Sequence, residues 1–109
     1  MTTFDATLGA SVTQAVINFS ASGDNIVVAG VAGKLIRVLQ YFFVLGGPTN
    51  LTFKSSQTAL SGPLDYPSAG SDVQDFIQLP LCTLNPGDPF IMNSSSAVQV
   101  GGTIWFIRG

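Results

Sequence analysis

The chain has 109 residues, a length that a single domain accounts for. Charged residues make up 9% of it, against an average of about 25% in soluble domains; histidine and glutamate are absent and there is one cysteine. These features exclude Ser–His–Asp and Cys–His catalysis and a structural zinc site, and four scattered basic residues argue against nucleic-acid binding.

The start of the chain is polar and weakly patterned, which is typical of a segment that becomes ordered against a partner. The sequence predicts an extended N-terminal arm over residues 1–11 and a single domain over residues 12–109. No secretory signal is recognisable, so we expect synthesis in the cytoplasm. The longest apolar run, 38–45, is far shorter than the roughly 20 residues that cross a bilayer, and no membrane partner is expected.

Short β-strands separated by turn signals follow the arm. Residues 12–20 and 26–29 are predicted as the first two strands. Residues 34–45 are predicted as the longest strand, because β-branched and aromatic residues and a following Gly-Gly-Pro favour a strand over an amphipathic helix. Both faces of this strand are largely apolar, which indicates a central position or one face against a partner.

Alternation is clearest over residues 50–56, where Leu51 and Phe53 point to one face and polar residues to the other. We expect this strand to form a hairpin with residues 34–45. Residues 61–70 contain two prolines and two glycines and are predicted as a surface loop.

The remaining strands are predicted at residues 73–79, 90–93 and 97–108. Two adjacent glycines in the last of them, Gly101 and Gly102, indicate a bulge or bend. About eight short antiparallel strands with frequent turn signals predict an all-β fold, a single β-sandwich with jelly-roll topology.

Residues with catalytic or metal-binding chemistry are sparse. Asp72 and Asp75 are the closest carboxylate pair, but three residues apart on a strand they point to opposite faces. Together with Ser71 they leave a calcium site open as an alternative, without EF-hand spacing. We predict no enzymatic activity, no catalytic residues, no metal and no cofactor, and expect Cys82 to be a buried apolar filler.

The low charge content is the feature that points to a function. Interface cores are depleted in charged residues, so the sequence favours a surface that is largely covered in an assembly. The alternative is a neutral, hydroxyl-rich surface on a free β-domain. In the adjacent pairs Phe42–Phe43 and Trp105–Phe106 one ring must face the core and the other must face outward, under a loop or against a subunit.

Four stretches of the sequence carry a resemblance to a known group of proteins. They are DNIVVAGVAGKLIRVL, GGPTNLTFKSS, ALSGPL and the closing AVQVGGTIWFI. In strand and turn patterning they resemble small β-sandwich structural proteins of tailed bacteriophages. The resemblance implies a head decoration (cement) protein, usually a homotrimer on the capsid lattice, and supplies no catalytic residues. The alternative is a tail or fibre component that binds a receptor or carbohydrate, with Asp65 and Tyr66 as its candidate site.

A decoration protein implies two partners, other copies of the chain (a homotrimer) and the major capsid protein, and a location on the capsid surface of the virion. Binding only to the assembled shell would stabilise that shell by mass action, and trimerisation would add avidity. The predicted contact residues lie in the arm and among outward aromatic residues: Thr2, Phe4, Leu8, Tyr41, Phe43 and Trp105.

Overall fold

The computed structural model describes residues 2–5, 10–74 and 80–109 of the chain. These residues contain eleven β-strands and no helix, so none of them belongs to a helix that could cross a membrane. The strands are β1 (Thr2–Asp5), β2 (Ala10–Phe19), β3 (Gly23–Val28), β4 (Ile36–Leu45), β5 (Thr49–Ser55), β6 (Thr58–Ala59), β7 (Leu64–Tyr66), β8 (Gly70–Gln74), β9 (Cys82–Thr83), β10 (Phe90–Ser94) and β11 (Val100–Arg108).

The strands form two antiparallel sheets that pack face to face. In sheet A the order is β1-β2-β11-β4-β8, and β9 also pairs with β4. In sheet B the order is β3-β10-β5-β6, and β7 also pairs with β5. The prediction of an all-β sandwich is therefore confirmed.

Strand pairing is nested along the chain. Strand β2 pairs with β11, β3 with β10, β4 with β8 and β5 with β7, all antiparallel. This nested order of pairs is the one that results when a single long antiparallel hairpin folds over on itself. The jelly-roll topology stays a prediction, and the nested order is compatible with it.

The predicted hairpin between residues 34–45 and 50–56 is wrong. Strand β4 lies inside sheet A between β11 and β8, whereas β5 lies in sheet B beside β10. The connection between them crosses from one sheet to the other, and at its start the Gly46 N–H donates to the Gln99 carbonyl at 2.8 Å. Both strands carry a continuous apolar face, and lying in opposite sheets lets both faces share one core.

The core lies between the sheets and is built from alternate residues of each strand. Its buried side chains include Ile17, Ile36, Val38, Tyr41, Phe43, Leu45, Val100, Ile104 and Phe106 from sheet A and Val28, Leu51, Phe53, Phe90 and Met92 from sheet B. The Tyr41 ring stacks on Phe43, with centroids 5.3 Å apart, and meets Phe53 of the opposite sheet edge-on at 5.4 Å. Aromatic contacts thus join the two sheets at the centre of the core.

A bulge in sheet A lies at a different place from the predicted one. The register between β11 and β4 shifts between Trp105 and Phe106 rather than at the two glycines. Gly102 has a different role: a β-carbon there would overlap the carbonyl oxygen of Phe42 on the neighbouring strand. The glycine is needed because the two backbones approach closely at that point.

Two predicted non-strand segments contain strands. Within residues 61–70, Leu64–Tyr66 form β7, which pairs with the start of β5. At the N-terminus, Thr2–Asp5 form β1, an edge strand antiparallel to β2. The division into an arm over residues 1–11 and a domain over residues 12–109 stays a prediction.

Candidate interaction surface

The structure corrects the orientation expected for two of the predicted contact residues. Tyr41 is 7% exposed and Phe43 is 0% exposed, so both rings lie in the core and do not face outward. The cause is the bulge, where β4 has two consecutive residues, Leu39 and Gln40, in the place that one residue would occupy in a regular strand. The alternation between the two faces therefore shifts by one residue along β4. In a regular strand without a bulge, Arg37, Tyr41 and Phe43 would all point to the same face.

The other four predicted contact residues are distributed differently. Trp105 is half-buried on the outer face of sheet A, the orientation that was expected for it. The backbones of Thr2 and Phe4 lie in β1, and Leu8 lies outside the described residues. A contact role for any of the six stays a prediction.

The outer face of sheet A carries an uncharged surface, which we call the neutral face. It consists of three rows of residues across β2, β11, β4 and β8, read from the strand register. The rows are Asn18, Gly101, Val44 and Ser71; Val16, Thr103, Phe42 and Val73; and Gln14, Trp105 and Gln40.

Large apolar side chains in the middle row and beside it are open to solvent. Val16 is 71% exposed, Phe42 40% and Val73 61%, and Thr103 lies between the first two. Val44, one row away, is also exposed. Single exposed apolar residues are common on protein surfaces, but a contiguous row across four strands is typical of a contact surface.

An aromatic pair stands at the centre of the neutral face. Phe42 and Trp105 are diagonal neighbours on adjacent strands, with ring centroids 6.0 Å apart and planes tilted by 44°. Trp105 is fixed from its other side by packing against a second buried cluster. An aromatic pair at the centre of an apolar patch is the arrangement found at the energetic centre of many interfaces.

The second cluster accounts for part of the surplus of apolar residues on the long strands. Val12, Leu39 and Ile107 are each less than 10% exposed and pack together, separately from the core. By strand alternation Ile107 shares its face with Trp105, opposite to the core residue Phe106. The outer face of sheet A therefore has one apolar region that is buried, with Arg37 beside it opposite Ile107, and one region, the neutral face, that is open.

The outer face of sheet B is charged. Lys54 donates to both carboxylate oxygens of Asp24 at 3.0 Å, and the Asn93 amide donates to the same carboxylate at 2.7 Å. The hydrogen bond from Asn93 and then that from Lys54 lower the pKa of Asp24 below its ordinary value of 3.8. Asp24 and Lys54 thus place fixed charges among the outer residues of sheet B, whereas on sheet A Arg37 lies beyond the neutral face, opposite Ile107.

Tyr66, a candidate for carbohydrate binding in the alternative interpretation, is turned toward the core. Its ring meets Phe43 edge-on at 5.9 Å, and its hydroxyl donates to Asp72 Oδ2 at 2.6 Å. Burial, followed by this hydrogen bond, raises the pKa of Tyr66. Tyr66 is therefore partly buried and joins β7 to β8 across the open edge of the sandwich, with its hydroxyl bound to Asp72.

A cleft of about 250 Å³ opens between the sheets near that edge. Its lining is largely apolar and consists of Tyr41, Phe53, Leu60, Ser61, Leu64, Gln74, Leu81 and Cys82. Cys82 is partly buried against the core and not fully buried as expected. Burial raises the pKa of its thiol, so at neutral pH the group stays protonated.

Metal-binding side chains do not gather in the part of the chain that the structure describes. Over residues 2–5, 10–74 and 80–109 there is no group of three or more His, Cys, Asp or Glu side chains that could hold an ion. Asp75, one of the residues considered for calcium, lies outside that part.

The fold and the surface define an all-β sandwich in which sheet A carries an open, uncharged patch and sheet B carries an ion pair on its outer face. Comparison with known proteins finds no family model, no curated protein and no solved structure that matches the chain.

Sequence reasoning missed Val16, Phe42, Val44 and Val73 as surface residues. Val16, Phe42 and Val44 are apolar residues in strands whose other face is also apolar, so hydropathy does not reveal which face is inside. In β8, Val73 is the one large apolar side chain among Gly70–Gln74. The useful signal is the pair of polar residues Gln14 and Gln40, which lie in one row of the same face.

Proposed function

We propose that the chain is a non-enzymatic structural protein of a tailed-bacteriophage virion, a decoration (cement) protein that self-associates and bridges major capsid subunits. The bacteriophage assignment follows from the sequence resemblance. The absence of histidine from the sequence supports a role without catalysis, because the commonest general base is missing.

The neutral face is the observation that carries the proposal. A surface with an aromatic pair at its centre, aliphatic residues around it and amides beyond has the composition of an interface core. Free soluble proteins of this size normally carry charges across their surfaces, since charges keep them monomeric and soluble. A protein whose surface is buried against other subunits instead needs contact surfaces with few charges.

The mechanism is stabilisation by linkage. A protein that binds the assembled, expanded shell but not free capsid subunits lowers the free energy of the shell by RT ln(1 + [L]/Kd) per site. If copies are joined, the first bound copy holds the others at a high effective concentration near their own sites. The shell then resists the outward pressure of packaged DNA.

Binding to purified, empty, expanded capsids of the bacteriophage that encodes the chain tests the proposal. We expect saturable binding with a fixed number of copies per shell, and a higher temperature of capsid disruption when the sites are filled. The matched control is the unexpanded shell, to which we expect weaker binding.

Failure to bind the expanded capsids saturably would overturn the proposal. Binding to host cells or purified surface glycans instead would favour the alternative, a tail or fibre component with a receptor- or carbohydrate-binding role.

A further inference from the structure

We infer that the neutral face is the contact surface between copies of this chain, and that capsid binding uses other surfaces. This inference rests on the proposed function and deepens it, since it assigns one partner to one face. The occupant is a second copy of sheet A, packed through the same set of residues.

The first argument is the absence of fixed charge from the neutral face. All eleven of its residues are uncharged. When two copies of one chain meet through the same surface about a two-fold axis, a charge near the axis faces the same charge of the other copy. An uncharged surface avoids this repulsion, whereas a surface selected to bind a different protein usually gains from opposite charges on the two sides.

The second argument comes from the polar residues of the face. Gln14, Gln40 and Asn18 are primary amides, each with donor and acceptor groups. An amide that meets its own copy can donate and accept at once, which neither a carboxylate nor an ammonium group can do. The polar part of the face is therefore complementary to itself.

Sheet B provides the internal comparison. Its outer face carries the Asp24–Lys54 ion pair and the carboxylate of Asp65. It also carries Ile26, which is 67% exposed. Exposed aliphatic side chains thus occur on both sheets, but only on sheet A do the described residues form a contiguous row free of charge.

The size of the face sets the expected strength of the contact. Four strands about 4.8 Å apart and five residues of about 3.4 Å each give a projected area of roughly 320 Å². A standard interface buries about 800 Å² per partner. The neutral face therefore supplies the central part of an interface, and we expect the association to depend on concentration.

Substitution of Val16 by lysine tests the inference. Val16→Lys places an unpaired charge against the uncharged surface of the other copy, which a packed contact disfavours, and the core is unaffected because the side chain is 71% exposed. Ile26→Lys is the matched control, with the same change of charge at a similarly exposed aliphatic residue of sheet B. Val73→Lys repeats the test on another strand of the face.

Light scattering after size exclusion, over a dilution series, measures the mass. We expect the unaltered chain and Ile26→Lys to run at twice the chain mass at high concentration, and Val16→Lys and Val73→Lys to run at the mass of one chain. Circular dichroism checks that all the variants are folded. Emission from Trp105, the single tryptophan, should shift to longer wavelength on dilution as the neutral face becomes exposed.

Several outcomes would overturn the inference. They are an unaltered chain that is monomeric throughout, a Val16→Lys chain that stays associated, and an Ile26→Lys chain that alone becomes monomeric. A separate measurement of binding to expanded capsids distinguishes failure of this inference from failure of the proposed function. A monomeric chain that binds expanded capsids through Val16 keeps the function and overturns the inference, while an associated chain that binds no capsid does the reverse.

Discussion

At the scale of the residue, neighbouring side chains of β4 meet opposite environments. Phe43 is fully buried among aromatic residues of both sheets, whereas Phe42 lies on the neutral face beside Trp105. The two residues are chemically identical, so their different contributions to stability come from position alone.

Alanine substitutions at these two positions should therefore differ strongly. Phe43→Ala leaves a cavity in the core and is expected to lower the free energy of unfolding by about 3–5 kcal/mol. Phe42→Ala removes a partly exposed ring and its contact with Trp105, so we expect less than about 1.5 kcal/mol. Urea denaturation at a concentration where both variants are monomeric measures the difference.

Each variant serves as the control for the other, because both substitutions delete the same side-chain atoms and differ only in position. Equal losses of stability, or a larger loss for Phe42→Ala, would contradict the assignment of Phe43 to the core and Phe42 to the outer face.

At the scale of the element, the edge between β7 and β8 is held by one cross-sheet hydrogen bond. The Tyr66 hydroxyl donates to Asp72, and Gln74 donates to the other oxygen of the same carboxylate at 3.4 Å. Strand β7 is three residues long and pairs only with β5 in the described part of sheet B. A short strand with one neighbour depends on such contacts for its position.

Tyr66→Phe removes this hydrogen bond and keeps the ring. A hydrogen bond to a charged acceptor contributes about 1.5–3 kcal/mol, and partial exposure reduces this, so we expect the variant to be less stable by roughly 1 kcal/mol. Amide hydrogen exchange should show the loss first in β7. Tyr41→Phe is the control, because the Tyr41 hydroxyl makes no hydrogen bond within residues 2–5, 10–74 and 80–109.

The same bond predicts a dependence on pH. The pKa of Tyr66 is raised above its ordinary value of 10.0 in the folded chain, first by burial and then by Asp72. Its contribution to stability is therefore fully present below pH 10.0 and is lost as the pH rises above that value through the folded pKa. Tyr66→Phe should lose stability less steeply there, and an unchanged slope would contradict the assignment.

At the scale of the whole molecule, the nested pairing joins distant parts of the chain. Phe19 is opposite Val100 in sheet A, and Val28 is opposite Phe90 in sheet B. Neither sheet can form from one continuous stretch of sequence. Each requires closure of long loops before its hydrogen bonds and apolar contacts form.

Folding should accordingly be slow for a chain of this length. We expect refolding of the monomer in milliseconds to seconds, on the order found for all-β sandwiches. Stopped-flow fluorescence of Trp105 after dilution from denaturant measures the rate, since this tryptophan lies in the central strand β11. Complete refolding within microseconds would contradict the non-local pairing.

The sequence by itself determined the fold class and most of the strands. Turn residues and β-branched or aromatic runs are local signals, so β2, β4, β5, β10 and β11 were predicted near their observed bounds. The low charge content also predicted a contact surface, and the neutral face is the surface that fits it best.

Tertiary structure alone decided which strands pair and which face of β4 is inside. Strands β4 and β5 follow one another and look like a hairpin, but their apolar faces are buried together only from opposite sheets. The bulge beside Trp105 reverses alternation along β4, so Tyr41 and Phe43 point inward and Phe42 outward. Local patterns cannot reveal either result, because both depend on backbone groups from strands distant in the sequence.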